Sequence, residues 1–431
     1  MSIRLDIRET GARGDGIAEL DGRRYFVPFT LPGERVEAEP RDKRGEGIAA
    51  DLVEVLAPSR HREAPPCAHF KVCGGCALQH WRRDAYTAWK VELIVRALAQ
   101  RGVDAPRFEP PLIGAPGERR RADFVLRRHG RRVVAGFHER ASPEIVDVGT
   151  CVVARPGLNA LLEPLRASIG SVLPDGGAAD AMVNEIASGL DLLIRPHRRL
   201  DLSLERREAL VALAEGADLA RLCWGDRASA EPVVVRRTPL VVFGEAPGEV
   251  RIEPPPGAFL QATQRAEQAM RAMVGAWTGD APRLADLFAG LGALSLGRAG
   301  KFALFESDRQ AVAAVAAATR RLGGKVTAER RDLFRNPLTA AELDAFDAVV
   351  LDPPRAGAAA QSAELARAKV PRVVYGSCDP GSFARDARVL QDGGYRLEKL
   401  LPVDQFLWSP HIELIALFAR APLRSTRHQG G

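Results

Sequence analysis

The sequence predicts an α/β protein with a C-terminal doubly wound Rossmann-like domain, an N-terminal OB-like β-barrel and a central mixed α+β domain. Three observations predict it. From about residue 245 onward, short apolar runs (RLADLF, FALFES, KVTAERRDL, AVVLDPP, RVVYGSC, YRLEKLLPVDQF, IELIALFAR) alternate with Ala-rich stretches, the pattern of a mostly parallel sheet with crossover helices. Residues 1 to 58 carry short β-type runs broken by Gly and Pro (GDGIAELDGRRYFVPFTLPGERVEAEP), with Val36, Val53 and Val55 in period-two settings, as in a small barrel. Between about 120 and 240 strand-like runs return (ADFVLRR, RVVAGFHER, GLDLLIRP, EPVVVRRTPLVVF) around a helix-like segment near 157–169. At 431 residues and 46% hydrophobic, the chain is long and apolar enough for two or three cores. The boundaries read as 1–58 for the barrel, 59–244 for the central domain and 245–431 for the α/β domain.

The joints obey the same logic. Ala57 to Pro66 is a polar, Pro-bearing linker. Asp84 to Arg101 has helical apolar spacing, with Asp84 as N-cap and Gly102 as stop. The tail Ser425 to Gly431 has the composition of a disordered end.

The formal charge is +6 and the pI near 9.2, with arginines clustered at 119–121, 127, 128, 131 and 132. Such a balance suits a polyanionic partner, although solvated Arg-rich faces explain charge alone equally well. No apolar leader opens the chain, and no run approaches the ~18 apolar residues of a membrane span. A cytoplasmic protein without membrane contact is the expectation.

Of six cysteines, Cys67, Cys73 and Cys76 fall in one short segment, CAHFKVCGGC, with Cys151 as a possible fourth ligand. Four thiolates suit zinc or a [4Fe-4S] cluster. The spacing of five then two residues, opened by Gly74 and Gly75, departs from paired CxxC zinc motifs and favours iron–sulfur. No CxxxCxxC radical motif is present.

In the α/β domain, LADLFAGLGALSLGRAGKFALFESD reads as strand, glycine turn, helix and a second strand ending in Glu306. Gly290 and Gly292 admit a ligand to the backbone, and a strand-end acid can hold ribose hydroxyls. Ser295 replaces the third glycine of the dinucleotide fingerprint, so a nucleoside cofactor without pyrophosphate is expected, S-adenosylmethionine above all. Pro353 and Pro354 turn the chain out of the sheet after Asp352, aiming that acid into the crevice. Arg355 stands where amine methylation would call for an aromatic. Cys378 comes after a strand and before a helix, a setting expected to lower its pKa. A thiolate is useful to a methyltransferase acting on uracil: addition at carbon 6 makes carbon 5 nucleophilic, and a carboxylate such as Glu413 in HIEL then removes the carbon-5 proton. Each piece alone has an ordinary reading as turn, cap, buried thiol or strand acid. The combination does not.

Taken together, these motifs resemble the RNA 5-methyluridine methyltransferase family over nearly the whole chain, on the branch of bacterial 23S rRNA uracil-5 methyltransferases with a TRAM domain and an iron–sulfur cluster. The resemblance implies that GDGIAELDGRRYFVPFTLPGE is the RNA-contacting TRAM barrel, and that CAHFKVCGGCALQHW with GFHERASPEIVDVGTC supplies the cluster ligands Cys67, Cys73, Cys76 and Cys151. It implies cofactor contacts at Gln261 and Phe288, ribose at Glu306, adenine at Asp332, and methionine or target base at Asp352. YGSCDP and HIEL match the nucleophile and general-base motifs at Cys378 and Glu413. The chain departs at Ala289 and Ala293, where the family's Cys-Gly-x-Gly-Asn turn loses an Asn contact, in a short helix before Glu306, and at Ala122 and Asp123, which replace a Lys-containing stretch. The implied substrate is RNA, ribosomal first and transfer RNA as the alternative, with the target base flipped out and the enzyme a monomer. Competing readings are an inactive RNA-binding iron–sulfur protein and a cytosine-5 methyltransferase; the latter presents Pro-Cys, where this chain has Ser377-Cys378.

Overall fold

The computed structural model describes residues 1–104, 106–246 and 248–420; the tail from Ser425 lies outside the described residues. The chain divides into two compact units, one of Met1–Leu93, Ile113–Thr238 and Asp404–His411, the other of Ile94–Leu112, Pro239–Val403 and the chain from Ile412 on.

The first unit begins with a closed barrel in the order Ile3–Thr10, Gly16–Leu20, Arg23–Val27, Gly47–Ala57, Arg35–Arg44. Alternation builds it: Leu5, Ile7, Ala18, Val27, Val36 and Ala38 face a dry interior while their neighbours face out. Beside it a sheet runs in the order Ile145–Asp147, Arg132–His138, Arg121–His129, Ala178–Ile186, Gly189–Pro196, Leu219–Trp224, Glu231–Val235. Its one parallel pairing described, Gly189–Pro196 with Leu219–Trp224, is bridged by the helix Leu204–Gly216, whose N-cap Ser203 accepts from the Arg206 amide. That helix and Leu162–Val172 pack on the sheet through Leu162, Leu165, Ile169, Leu210 and Leu213, all buried.

Ion pairs tie the barrel to the segments that follow it. Asp15, 2% exposed, accepts from Arg44 and from Arg140, each at 2.6 Å. Glu34 holds Arg62 on both carboxylate oxygens. The helix Arg83–Gln100 starts one residue before the expected cap, so Asp84 lies in its first turn, where it binds the Arg82 guanidinium; the arginine competes successfully for the carboxylate. One turn on, Tyr86 and Lys90 meet Asp404 at 2.5 and 3.1 Å in a fully buried cluster.

The second unit is a doubly wound sheet in the order Val326–Arg330, Lys301–Glu306, Arg283–Leu287, Ala348–Leu351, Arg372–Ser377, Glu413–Arg420, Tyr395–Asp404, Arg107–Phe108. The first five strands are mutually parallel, and Glu413–Arg420 joins antiparallel. Helices Gln264–Thr278, Arg309–Thr319, Ala359–Arg367 and Pro380–Asp392 cover it. The expected helix after Arg283–Leu287 is absent: residues 288–300 run through turns and bends. With Gly290, Gly292, Gly297 and Gly300 all at positive φ, this short crossover cannot hold helical dihedrals. Tertiary bonds hold it instead. Ser295 donates to Asp286 at 2.5 Å, and Arg271 donates to the carbonyls of Ala293 and Leu296. Gly297 lies so close to Gly244 that a Cβ on Gly297 would come within 2.5 Å of the Gly244 Cα. No helix of the described residues is long and apolar enough to cross a membrane.

Candidate active site

Five consecutive parallel strands end on one edge of the sheet, and each delivers a residue singled out from the sequence: Phe288 after Arg283–Leu287, Glu306 closing Lys301–Glu306, Asp332 after Val326–Arg330, Asp352 after Ala348–Leu351, and Cys378 after Arg372–Ser377. Open α/β sheets bind ligands at this carboxyl edge, because the strand ends diverge there toward helix amino termini.

The glycine turn and Glu306 are joined directly. The Gly290 amide donates to Glu306 Oε2 at 2.9 Å, while Oε1 accepts from the Asp308 amide at 2.8 Å and from Ser307 at 3.0 Å. The carboxylate is thereby oriented before any ligand arrives. Phe288 adopts φ of +58°, a left-handed conformation that costs a bulky residue about 1–2 kcal/mol and points to a functional constraint. Its ring lies 5.3 Å from that of Phe334, which stays 49% exposed. Asp332, two residues before Phe334, accepts from the Phe334 amide at 3.1 Å. Glycine turn and third-strand loop thus form an aromatic wall with an acid at its rim.

Deeper in, Asp352 accepts from Gln261 Nε2 at 3.1 Å; burial pushes its carboxyl up to about 6, with the Gln261 bond acting the other way. Gly376 permits this position, since a Cβ there would sit 2.7 Å from Asp352 Oδ1. Asp286, fully buried below the glycine turn, is pushed up to about 7 by burial, opposed by Ser295 and reinforced by the charges of Asp352 and Glu306. Asp286 and Gly376 were not singled out from the sequence, and Ser295 was noted only as replacing a glycine; the signal for Asp286 was an acid inside an otherwise apolar strand, RLADL.

Cys378 and Glu413 approach by register. The antiparallel pairing runs from Arg372 with Ala419 to Ser377 with Leu414, and one step further sets Cys378 opposite Glu413. Glu413 is 6% exposed. Asp379, next to the thiol, caps the helix Pro380–Asp392 by accepting from the Ser382 amide at 2.7 Å. The expected lowering of the thiol pKa is overturned. Burial, then Glu413 and Asp352, push Cys378 up to about 11, and Arg355 only partly offsets them. Burial, reinforced by the charges of Glu413, Asp352 and Asp379, outweighs Arg355.

The other cysteines lie in the first unit. Cys67, Cys73, Cys76 and Cys151 line one cavity of about 140 Å³, walled by Phe70, Phe137, Val148 and Val153. Their backbones are fixed: the Cys67 amide donates to Gln79 Oε1 at 3.2 Å and the Cys151 amide to Asn159 Oδ1 at 2.8 Å. Burial raises Cys76 to about 12 and also raises Cys73 and Cys151.

The chain is similar to known proteins over nearly its whole length. A family model described as tRNA (Uracil-5-)-methyltransferase matches residues 324–421. An uncharacterized RNA methyltransferase of Brucella suis biovar 1 (strain 1330) is 44% identical over 421 residues, 96% of this chain and 97% of the relative. The 23S rRNA (uracil(1939)-C(5))-methyltransferase of Pseudomonas putida is 34% identical, over 96% of this chain and 93% of that protein. In fold the chain resembles the Pyrococcus abyssi tRNA (uracil-54, C5)-methyltransferase, solved with S-adenosyl-L-homocysteine, at a TM-score of 0.74 and 21% identity over 96% of this chain and 99% of that one. With near full-length identity above the level that fixes family, and with the site assembled on the carboxyl edge, the chain belongs to the RNA uracil-5 methyltransferase family and is an S-adenosylmethionine-dependent enzyme.

Proposed function

We propose that this enzyme methylates carbon 5 of a uridine in 23S ribosomal RNA, with Cys378 as nucleophile and Glu413 as general base. The observation that carries the chemistry is the strand register that sets Cys378 opposite a buried Glu413 and beside Asp352. S-adenosylmethionine supplies an electrophilic methyl group when bound. Its ribose falls to Glu306, its adenine to the Phe288–Asp332 wall, and its methionine end to Asp352 and Gln261. Cys378 first loses its thiol proton to solvent, which leaves Glu413 ionised for the later step; Sγ then adds to carbon 6 and pushes the electron pair of the 5,6 double bond onto the carbon-4 carbonyl. Carbon 5 takes the methyl group, Glu413 accepts the carbon-5 proton, and the double bond re-forms as the thiolate leaves. The uridine must be flipped out, since neither face of a stacked base is open to the thiol.

The 23S assignment is supported by the Pseudomonas putida relative. The four cysteines are proposed to hold a [4Fe-4S] cluster. What supports this reading is that the four cysteines line one largely apolar cavity. The cluster would act as a staple for the segment Cys67–Cys76.

Three measurements test the reading. Wild type and Cys378→Ala are incubated with S-adenosylmethionine and 5-fluorouridine-substituted RNA; a denaturation-stable adduct in the wild type alone is expected, and an adduct in the variant removes Cys378 from its role. Nucleosides from 23S and transfer RNA of a strain lacking the gene are compared with the parent. Loss of 5-methyluridine from the 23S fraction is expected; loss from transfer RNA only reassigns the substrate. Anaerobically purified protein should carry four irons and a broad visible absorption band, and stoichiometric zinc instead would defeat the cluster.

A further inference from the structure

The shortened crossover has a second face. Where residues 296–300 meet the beginnings of the strands Lys301–Glu306 and Val326–Arg330, at the amino edge of the sheet and thus opposite the active site, a cleft of about 420 Å³ opens. Its floor is apolar, made by Val250, Leu296, Phe302 and Val326, and its rim carries Lys301 and Lys325 with no Asp or Glu in the lining. Arg298 forms one wall and is committed to the helix end beside it, donating to Thr278 Oγ1 at 3.1 Å and to the carbonyls of Gly275 and Gly279. The 3-10 turn Arg320–Leu322 leads directly into Lys325 and adds Arg320 and Arg321, both exposed.

Several other arginines of this unit are held in ion pairs. Arg283 is paired with Asp347, Arg331 with Glu342, Arg388 with Asp392 and Arg396 with Glu398. Among the described residues, the side chains of Lys301, Arg320, Arg321 and Lys325 have no hydrogen-bond or ion-pair partner. Four unpaired cations within 25 residues, around a cleft whose lining holds no Asp or Glu, make a locally basic surface of the kind that attracts a polyanion. A cleft with an apolar floor and a cationic rim suits a nucleotide strand, whose phosphates meet the rim while sugar and base cover the floor.

We propose that this cleft is a second RNA-binding site, which takes the phosphodiester backbone of the substrate RNA away from the target uridine. The inference rests on RNA being the substrate, not on which uridine is methylated. Phosphate contacts of this kind position the nucleic acid without reading its sequence.

The test is a variant with Lys301, Arg320, Arg321 and Lys325 all changed to Gln, compared with a control losing the same four charges at Arg283, Arg331, Arg388 and Arg396. Binding to labelled 23S and transfer RNA transcripts is followed by anisotropy across a salt series, and S-adenosylmethionine binding by calorimetry. Each phosphate contact contributes about 0.7–0.9 to the slope of log affinity against log salt. The cleft variant should bind RNA at least about tenfold more weakly near physiological salt, with a slope shallower by about 3 to 4 when all four cations meet phosphates, while its cofactor affinity and melting temperature match the wild type. Equal RNA affinity and slope in variant and wild type overturn the proposal, as does an equal loss in the control, which would assign the effect to net charge. A wild type that binds neither RNA defeats the RNA reading itself, whereas a wild type that methylates RNA beside an unaffected cleft variant defeats only the second site.

Discussion

Cys378 is a protonated thiol in the resting enzyme, and this can be measured. With its pKa pushed to about 11 by burial and by Glu413 and Asp352, the thiolate fraction at pH 7.5 is about 3 in 10,000, against about one in ten for an ordinary cysteine of pKa near 8.5. Alkylation by iodoacetamide, tracked at the Cys378 peptide by mass spectrometry, should therefore be about 300-fold slower than that of an exposed reference thiol. Because the charged form is disfavoured, the rate should climb about tenfold per pH unit from 7 to 10 without levelling. Glu413→Gln and Asp352→Asn each remove one negative neighbour and should each speed alkylation at pH 7.5 by about tenfold, the scale expected of a charge a few ångströms away. S-adenosylmethionine, a cation, should accelerate it more than S-adenosylhomocysteine, whose sulfur is uncharged. A rate that levels off near pH 8 in the wild type would refute the reasoning, since it would mean that the helix terminus and Arg355 outweigh the carboxylates.

Three further outcomes are expected. Gly292→Ala places a Cβ 2.5 Å from Leu296 Cδ1 at φ of +77°, and should cost about 2–4 kcal/mol and abolish calorimetric cofactor binding, whereas Gly290→Ala, with open space around its Cβ at φ of +54°, should cost only about 1 kcal/mol; equal effects would deny that packing under the turn matters. Lys90→Met leaves Asp404 buried with Tyr86 as its remaining side-chain donor and should lower denaturant stability by about 3 kcal/mol, and a loss below about 1 kcal/mol would show that the ion pair contributes little beyond its own desolvation. Asp286 holds its proton more tightly folded than unfolded, near pH 7 rather than 3.8, so its stabilisation is complete below about pH 4 and lost as pH rises through 7. Asp286→Asn should remove that decline and be more stable than the wild type at pH 8 in thermal melts; an unchanged pH profile would show that the carboxyl is ionised throughout.

Strand–helix alternation was legible wherever apolar runs were long, so the parallel strands ending at Glu306, Asp352 and Cys378 could be placed from the sequence. Motif residues were legible because a proline just past a strand fixes where that strand stops, as Pro353–Pro354 and Asp379–Pro380 show. The illegible parts depended on distant partners. The crossover 288–300 looks like turn plus helix locally, and only Arg271, Gly244 and Asp286 decide that it stays irregular. Val53 reads as an inward residue by alternation but is 58% exposed, because Leu52 opposes Ala38 and Glu54 opposes Glu37, leaving Val53 on a bulge. The thiol pKa failed for the same reason: a helix terminus is visible in sequence, but Glu413 reaches Cys378 only through the sheet register.

The helix-free crossover bears on how this unit acquires its structure. A crossover helix can form early from contacts within itself, but residues 288–300 carry only a few turn bonds of their own, such as those from the Gly292 amide to Ala289 and from the Leu296 amide to Gly292, and depend further on Arg271, Gly244 and Asp286. Segments that rely on distant partners order late and open early as a class, so the glycine turn is expected to open at a lower free energy than the sheet. A ligand that binds only the closed turn stabilises it by mass action, about 2.7 kcal/mol at a hundred times its dissociation constant. With the glycine turn as the proposed cofactor loop, adding S-adenosylmethionine should slow amide exchange at Gly290 to Gly292, and unchanged exchange would separate the turn from the cofactor site.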